Sequence, residues 1–259
     1  MESRTGIKWN REETILAFEL YCNTPFGKIG KSNKNIIELA IKLGRTPSSV
    51  ALKMQNLAHY DPSLIARGIA AMKNGSKLDK EIFEEFYSNI EELAYQAEII
   101  RQDYAIMQQG TINAETLPVG KYKETMTKTR LGQYQFRIAV LNSYNNKCCI
   151  TGLNMPELLI ASHIKPWVVS DEKTERTNPS NGLCLNPLHD KAFDRGLITI
   201  TKEHKIVVSE ILTNSEMDIE TNRWIKSYEN KTIILPDRFL PNREFIEYHN
   251  DVVFKSKAI

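Results

Sequence analysis

Residues 148–200 read CCITGLNMPELLIASHIKPWVVSDEKTERTNPSNGLCLNPLHDKAFDRGLITI. The runs CCITG and LLIASHI predict two short strands, and the second ends at Pro166 because proline cannot continue a sheet ladder. After a charged loop, Asn181 and Gly182 predict a tight turn, and LHDKAFDR predicts a short helix that ends at Gly196. The stretch is therefore typical of two strands, a connection and a helix.

Three side chains in this stretch have the chemistry to take part in cleavage of a phosphodiester. His163 lies on a predicted strand, Asn181 on the connection and His189 on the helix. A neutral imidazole can accept a proton from water near pH 7, and imidazole nitrogens also bind metals. The structural alternative is a core histidine at the first position and a surface histidine on the helix. The other histidines are expected at turns or on the surface, without partners: His59, His204 and His249.

The composition is that of a soluble globular protein, with 41% hydrophobic and 25% charged residues in a chain of 259. This length predicts two domains of ordinary size. The formal net charge is only +2, so any surface for nucleic acid must be local. The sequence shows no signal peptide and no apolar run long enough to cross a bilayer, and its four cysteines form no repeated pair at metal-binding spacing. A cytoplasmic protein with reduced cysteines and no membrane partner is expected.

The N-terminal part predicts an all-helical domain. Apolar residues at helical spacing predict helices at residues 9–21, 34–43 and 47–58. Gly44 separates the last two as in a helix-turn-helix, whose second helix begins with small polar residues that can approach a groove of DNA. On this interpretation, the side chains that contact DNA are Arg45, Ser48, Ser49, Lys53 and Asn56. The alternative is a small helical domain in which these charges are solvated.

Another helical stretch is expected at residues 76–109, where an acidic face favours packing or dimerisation over contact with DNA. Residues 110–120 lose the helical period, contain Gly and Pro, and predict a linker. The two domains are therefore expected at residues 1–109 and 121–259. Within the second domain, residues 197–208 predict a β-hairpin.

The segment that precedes the opening stretch is basic. Residues 121–137 carry five basic residues against one acidic residue, and a helix is expected from about residue 133. A local positive charge can bind a sugar-phosphate backbone, which makes Arg130, Arg137 and Lys165 candidate DNA contacts. The alternative is that these cations form structural ion pairs or lie on a solvated face.

Five blocks of the C-terminal half stand in order: RLGQYQFRIAVLNSY, CCITG, ASHIKPW, NPSNGLCL and LHDKAFDRGLITI. These blocks resemble the HNH module of bacterial restriction endonucleases, including modification-dependent ones, and IILPDRFLPNREFIEYHNDVVF resembles the C-terminal tail of that family. The resemblance covers residues 128–254. The N-terminal part resembles a helical domain that is often fused to such nucleases. The resemblance implies an α+β protein, with a helix-turn-helix-like domain followed by a ββα-metal HNH nuclease domain.

The same resemblance implies roles for individual residues. His163 would be the general base and His189 a metal ligand, while Asn181 would either fix the loop that orients the base or bind the metal through its carbonyl. One divalent cation per active site is expected, Mg²⁺ or Mn²⁺. Many family members have Asp or His before the catalytic histidine as a metal ligand, where this chain has Ser162. The metal would then need another partner, and the candidates on the helix are Asp194 and Asp190.

Two functions from different classes follow. The first is a metal-dependent endonuclease that cleaves double-stranded DNA and serves in defence against foreign DNA, as a homodimer because double-strand cleavage needs two active sites. The second is a DNA-binding regulator with an inactive HNH fold, for which Ser162 is the main support. A secreted nuclease toxin is disfavoured because no export or receptor-binding segment is evident.

Overall fold

The computed structural model describes residues 6–69, 75–109 and 121–256. The first helices are α1 (Arg11–Cys22), α2 (Lys34–Leu43), α3 (Pro47–Ala58), α4 (Pro62–Ala66), α5 (Lys77–Phe86), α6 (Ile90–Gln109) and α7 (Lys121–Ser143). The elements that follow are β1 (Ile160–His163), β2 (Gly182–Leu185), α8 (Pro187–Asp194), β3 (Ile198–Ile200), β4 (Ile206–Val208), α9 (Glu210–Thr213), α10 (Ile219–Ile225) and α11 (Arg243–Tyr248). A helical part therefore precedes a mixed part with two small sheets. Within these described ranges, no helix is both long and apolar enough to span a bilayer.

The helices predicted at residues 34–43 and 47–58 are confirmed as α2 and α3. The Asn33 side chain caps the start of α2, and Gly44 ends it with φ +64, a conformation that glycine adopts without strain. Thr46 caps α3, which begins with a proline. The two helices pack on each other and on α1 as part of a helical bundle. This packing does not confirm a helix-turn-helix function.

Residues 76–109 contain two helices because the chain bends between them. After α5 ends, the Asn89 side chain accepts a hydrogen bond from the backbone N–H of Glu92 at 3.2 Å, which starts α6. α5 packs on α1 and α3, and α6 packs on α1 and α7. The core of this bundle includes Phe18, Tyr21, Met54, Ile82, Phe86 and Leu93.

β1 and β2 form an antiparallel pair in which His163 lies opposite Gly182. The prediction that CCITG forms one of the strands is wrong. Residues 148–152 form a turn instead, because Gly152 adopts φ +73 and donates its N–H to the carbonyl of Cys148 at 2.8 Å. α8 follows β2 directly and packs on β1 and β3. The ββα unit is present, but its second strand follows the polar loop.

α7 connects the two parts of the molecule and begins at Lys121, well before its predicted start. Its first part lies along α6, where a Cβ on Gly132 would come within 2.8 Å of Glu91. Its second part packs on the sheet, where a Cβ on Gly182 would collide with Val140. Glycine is needed at both positions because a side chain there would overlap atoms of the neighbouring element.

Arg238 ties the C-terminal tail to α1. Its guanidinium is fully buried and donates to the backbone carbonyls of Tyr21 and Thr24, the second at 2.6 Å. A helix leaves its last carbonyls unpaired and carries partial negative charge at that end, so a cation is favoured there. The core of the N-terminal bundle accordingly includes Phe239 from the tail. The predicted linker, residues 110–120, lies outside the described residues.

His249 corrects the expectation of a surface histidine without partners. Its ring is 1% exposed, stacks on Phe193 with the centroids 3.8 Å apart, and meets Thr199 Oγ1 through Nδ1 at 2.8 Å. Burial lowers the pKa of His249 to about 4, so the ring is neutral at pH 7. The hairpin predicted at residues 197–208 is confirmed as β3 and β4.

Replacing Gly196 with alanine is expected to destabilise the protein strongly. The new Cβ would collide with the backbone carbonyl of Val253, and the backbone at Gly196 has φ +68. Alanine at Gly68, which has φ +65 and no atom within 4 Å, carries the backbone cost alone, on the order of 1–2 kcal/mol. Urea unfolding of both variants measures the difference. Gly196→Ala should lower the free energy of unfolding clearly more than Gly68→Ala does.

Gly30→Ala is the matched control, because its Cβ would meet open space at an ordinary φ. It should unfold like the wild type. Equal losses for Gly196→Ala and Gly68→Ala would contradict the close approach of the tail to the end of α8.

Candidate active site

His163 ends β1, and its side chain contacts α7. The ring stacks on Phe136 with the centroids 4.3 Å apart and the planes at 12°, and Trp167 meets its edge at 5.6 Å. Two aromatic contacts of this kind hold an imidazole in one orientation. The side chain is partly buried, so the ring keeps some access to solvent.

The backbone carbonyl of Arg176 determines which nitrogen of His163 is the base. The carbonyl oxygen lies 2.8 Å from Nε2. Because a carbonyl can only accept, Nε2 carries the proton in the neutral ring and Nδ1 has the lone pair. Desolvation lowers the pKa of His163 below its usual value, although the carbonyl contact partly offsets this effect. The ring is therefore neutral at pH 7, with Nδ1 available to accept a proton.

Asn181 is fully buried, and its side-chain amide closes the loop between the two strands. Oδ1 accepts from the backbone N–H of Lys165 at 2.7 Å, and Nδ2 donates to the carbonyls of Lys165 and Glu175 at 3.1 and 3.2 Å. These bonds fix the backbone next to Arg176, whose carbonyl orients His163. Of the two roles that the sequence left open for Asn181, the contacts favour fixing the loop, since its oxygen is already engaged.

His189 lies on α8 with its ring 1% exposed. Its Nδ1 is 3.1 Å from Oδ1 of Asn186, an oxygen that can only accept, so Nδ1 carries the proton and Nε2 has the lone pair. Nε2 is buried without a hydrogen bond. The carbonyl of Trp224 approaches the ring but forms no hydrogen bond of ordinary geometry, and the Tyr228 ring meets the imidazole at 5.6 Å. Burial lowers the pKa of His189.

The structure does not bring the two histidines into contact. Side chains alternate between the faces of a strand, so His163 contacts α7 while Ser162 faces α8. The Asp190 carboxylate approaches the Ser162 hydroxyl, yet that hydroxyl is buried without a hydrogen bond of ordinary geometry. Burial raises the pKa of Asp190, and repulsion from Asp194 adds to the rise. The ring of His189 lies instead against the Tyr228 ring and near the carbonyl of Trp224.

The described residues do not assemble a complete metal site, since no three of their His, Cys, Asp or Glu side chains are grouped to hold an ion. His189 offers a buried lone pair on Nε2, and Asn186 fixes its tautomer as the outer partners of metal ligands do. The Asn181 oxygen is engaged by Lys165, and Asp194 is exposed on α8. These residues offer one donor and not the set that a divalent cation requires.

Two of the predicted DNA contacts in the helical bundle are corrected by the structure. Arg45 pairs with Glu13 at 2.7 Å and Lys53 with Asp79 at 2.5 Å, and the two cationic side chains are 3% and 6% exposed. The ring of Trp9 lies against both cations. A buried charge depends on its partner because it has lost its water. Arg45 and Lys53 therefore brace the bundle and are not presented to a phosphate.

The other predicted DNA contacts of the N-terminal part and of α7 differ in exposure. Ser48 and Arg130 are exposed, whereas Ser49 and Asn56 are half-buried. Their surroundings do not define a binding surface, so contact between these four residues and DNA stays a prediction.

Arg137 and Lys165, the predicted phosphate contacts nearest to the site, are engaged by the protein. Arg137 donates to the carbonyls of Leu159 and Pro156 at 2.8 and 3.3 Å, which supports the segment before β1. The Lys165 ammonium pairs with Glu175 at 2.6 Å within the loop. Arg137 therefore stabilises the segment before β1, and Lys165 stabilises the loop after it.

The residue that sequence reasoning missed is Arg176. In the loop DEKTERT it is one of several charges that a solvated segment would carry, so no local pattern distinguishes it. Only the folded loop brings its carbonyl to His163. Phe136 and Trp167 carry a weak signal, because both are aromatic residues in the blocks that surround the reactive histidine.

Comparison with known proteins identifies the segment that carries this site. Residues 148–201 match the family model HNH_2, described as HNH endonuclease. Curated proteins gave no significant match. Among solved structures, the chain is similar to a "Modification dependent TagI restriction endonuclease", at 22% identity over 44% of this chain and 36% of that chain, with a TM-score of 0.28. So low a TM-score carries no argument about fold or function.

The matched segment contains a strand, a loop and a helix, which carry His163, Asn181 and His189. Residues 148–201 therefore form an HNH endonuclease domain. HNH nucleases generally use a divalent metal ion.

Asn181→Asp is expected to cost roughly 3–5 kcal/mol of folding free energy, because the new oxygen would be a buried charge facing the carbonyls of Lys165 and Glu175. The loss should shrink at low pH, where a protonated carboxyl can donate to one carbonyl again. Urea unfolding at pH 5 and pH 8 measures both effects. Asn35→Asp, exposed in the first turn of α2, is the control and should be neutral or slightly stabilising. Equal stabilities of the two variants would refute the role of the Asn181 amide.

Proposed function

We propose that the protein is a metal-dependent endonuclease that hydrolyses phosphodiester bonds of double-stranded DNA, as a restriction-type enzyme in defence against foreign DNA. The observation that carries this proposal is the tautomer of His163. Its Nε2 is held by the Arg176 carbonyl and its Nδ1 has a free lone pair, within the segment that matches HNH endonucleases. Dependence on base modification is a variant of the same proposal.

In the proposed reaction, Nδ1 of His163 takes a proton from the water molecule that attacks phosphorus. A bond forms between the water oxygen and phosphorus while the bond from phosphorus to the 3′-oxygen breaks, and the leaving oxygen takes a proton from solvent. The lowered pKa of His163 keeps the base unprotonated at neutral pH. The stacked ring of Phe136 keeps Nδ1 directed to one place, which supports a single line of attack.

The proposal includes one divalent cation per active site, Mg²⁺ or Mn²⁺, which when bound would stabilise charge on the phosphate as a Lewis acid. His189 is the donor that the described residues offer through Nε2. The proposal also includes a cytoplasmic homodimer, because cleavage of both strands needs two active sites.

A second candidate function is a DNA-binding regulator with an inactive HNH fold. Two observations favour it. Ser162 stands where many HNH nucleases have a metal ligand, and no group of three metal-binding side chains is assembled in the described part of the chain.

Plasmid cleavage in the presence of Mg²⁺ or Mn²⁺ decides between the two functions. The wild type is expected to cut, and His163→Ala is expected to bind DNA without cutting it, because it lacks the base. His59→Ala, at the end of α3 in the helical bundle, is the matched control and should cut like the wild type. Failure of the wild type to cut plasmid or genomic DNA, methylated or unmethylated, would contradict the nuclease proposal and favour the regulator.

Removal of the metal is expected to abolish cleavage. Dialysis against EDTA should stop the reaction, and addition of Mg²⁺ or Mn²⁺ should restore it, because the ion would stabilise the charged transition state. Undiminished cleavage in EDTA would show that the reaction does not depend on a metal.

The pH dependence of cleavage follows from the pKa of His163. The base acts in its neutral form and its pKa is lowered by burial, so kcat/KM should stay high at pH 6.5 and fall only at a lower pH, where the ring becomes protonated. Initial rates between pH 5 and pH 8 at constant ionic strength measure this acid limb of the pH profile. A fall centred above pH 6.5 would show that another group limits the reaction.

A further inference from the structure

The site needs a cation for its phosphate, but the cations that the sequence pointed to are engaged elsewhere. The Arg137 guanidinium donates to the carbonyls of Pro156 and Leu159, and the Lys165 ammonium is paired with Glu175. A phosphodiester carries a negative charge that increases in the transition state. A further basic side chain beside His163 would therefore serve the proposed reaction.

Arg176 is that side chain. Its Nε donates to the carbonyl of Ser170 at 3.2 Å, and its guanidinium carbon lies 5.4 Å from the centre of the Trp167 ring. The same tryptophan meets the edge of the His163 ring. The guanidinium and the base are thus neighbours of one aromatic side chain, and the backbone carbonyl of Arg176 holds the base directly.

The outer N–H groups of Arg176 have no acceptor among the described residues. The side chain is half-buried, and within the described part of the chain it makes no ion pair. Glu91 attracts Arg176 electrostatically but forms no ion pair with it, and it accepts a hydrogen bond from Thr129. The neighbouring Glu175 accepts from Lys165 and from the backbone of Asp171. A buttressed guanidinium with free outer donors differs from a structural arginine such as Arg238, whose terminal N–H groups meet carbonyls.

We propose that Arg176 binds the phosphodiester at the His163 site through its outer N–H groups. This inference rests on the proposed nuclease function. A guanidinium offers two parallel N–H donors that match two phosphate oxygens, and fixing its plane beforehand reduces the entropy lost on binding. Trp167 and the Ser170 carbonyl provide that fixation. Arg176 then orients His163 through its backbone carbonyl and the phosphate through its side chain. The relative position of the base and the phosphate is thereby fixed by one residue.

The test uses the full-length protein with Arg176→Gln and Arg176→Lys, both of which keep the backbone carbonyl at His163. Lys173→Gln, an exposed cation of the same loop, is the matched control. Arg176→Gln is expected to lower kcat by about a hundredfold or more, the size of effect seen when one donor to a developing charge is removed. The kcat of Arg176→Lys should lie between those of Arg176→Gln and the wild type, because an ammonium group keeps the charge but lacks the two parallel N–H donors of a guanidinium. Lys173→Gln should leave kcat unchanged.

A second measurement separates phosphate binding from a structural role. In the His163→Ala background, the dependence of DNA affinity on salt should weaken by about one phosphate contact on adding Arg176→Gln. The acid limb of the pH profile should not move in Arg176→Gln, because the carbonyl that orients the base remains. A lost activity with a shifted acid limb and an unchanged salt slope would assign Arg176 a structural role and overturn the inference.

The outcomes also distinguish this inference from the proposed function. If the wild type does not cut DNA, the nuclease proposal fails and this inference fails with it. If the wild type cuts and Arg176→Gln matches it in kcat and in salt slope, only the assignment of Arg176 fails. If Arg176→Gln does not fold, Arg176→Lys decides, since a folded lysine variant with wild-type kcat overturns the inference.

Discussion

The Asn181 amide is the constraint on which the candidate site depends. The loop between β1 and β2 is polar and charged, so it cannot be ordered by an apolar core of its own. One buried amide instead engages the backbone at the start and in the middle of the loop, through the N–H and carbonyl of Lys165 and the carbonyl of Glu175. An unpaired buried amide would cost on the order of 1–3 kcal/mol, so the loop and the amide stabilise each other. The position of the Arg176 carbonyl, and with it the tautomer of His163, follows from this arrangement.

The small sheet also depends on the helices that enclose it. Two strands alone are marginally stable in water, and this pair is held by α7 on one side and by α8 on the other. The contact with α7 is close because β2 begins with Gly182, where a side chain would strike Val140. The same stretch of α7 supplies Phe136, which stacks on His163. Packing that stabilises the sheet thus also aligns the base.

Local features of the fold could be predicted from the sequence, and pairings between distant residues could not. Asn33, Gly44 and Thr46 determine the ends of α2 and α3 by short-range chemistry, so those helices were predicted to the residue. CCITG was predicted as a short strand, whereas the left-handed conformation of Gly152 closes a turn over these residues. Arg45 and Lys53 were predicted as DNA contacts because their ion-pair partners, Glu13 and Asp79, lie 32 and 26 positions away in the sequence. The positions of His163, Asn181 and His189 were visible as a pattern. Their surroundings could not be predicted, because they depend on strand alternation and on the contact of His189 with Tyr228.

Arg238 makes the C-terminal part of the molecule dependent on α1 for its hydrogen bonding and packing. The terminal N–H groups of its guanidinium are satisfied by carbonyls at the end of α1, and the neighbouring Phe239 completes the apolar interior of the bundle. A fragment excised at residue 121 would expose that aromatic ring and leave a guanidinium without acceptors. The C-terminal part from residue 121 onward is therefore not expected to stay soluble when it is transferred to another protein without α1, because an apolar surface that is buried here would be exposed.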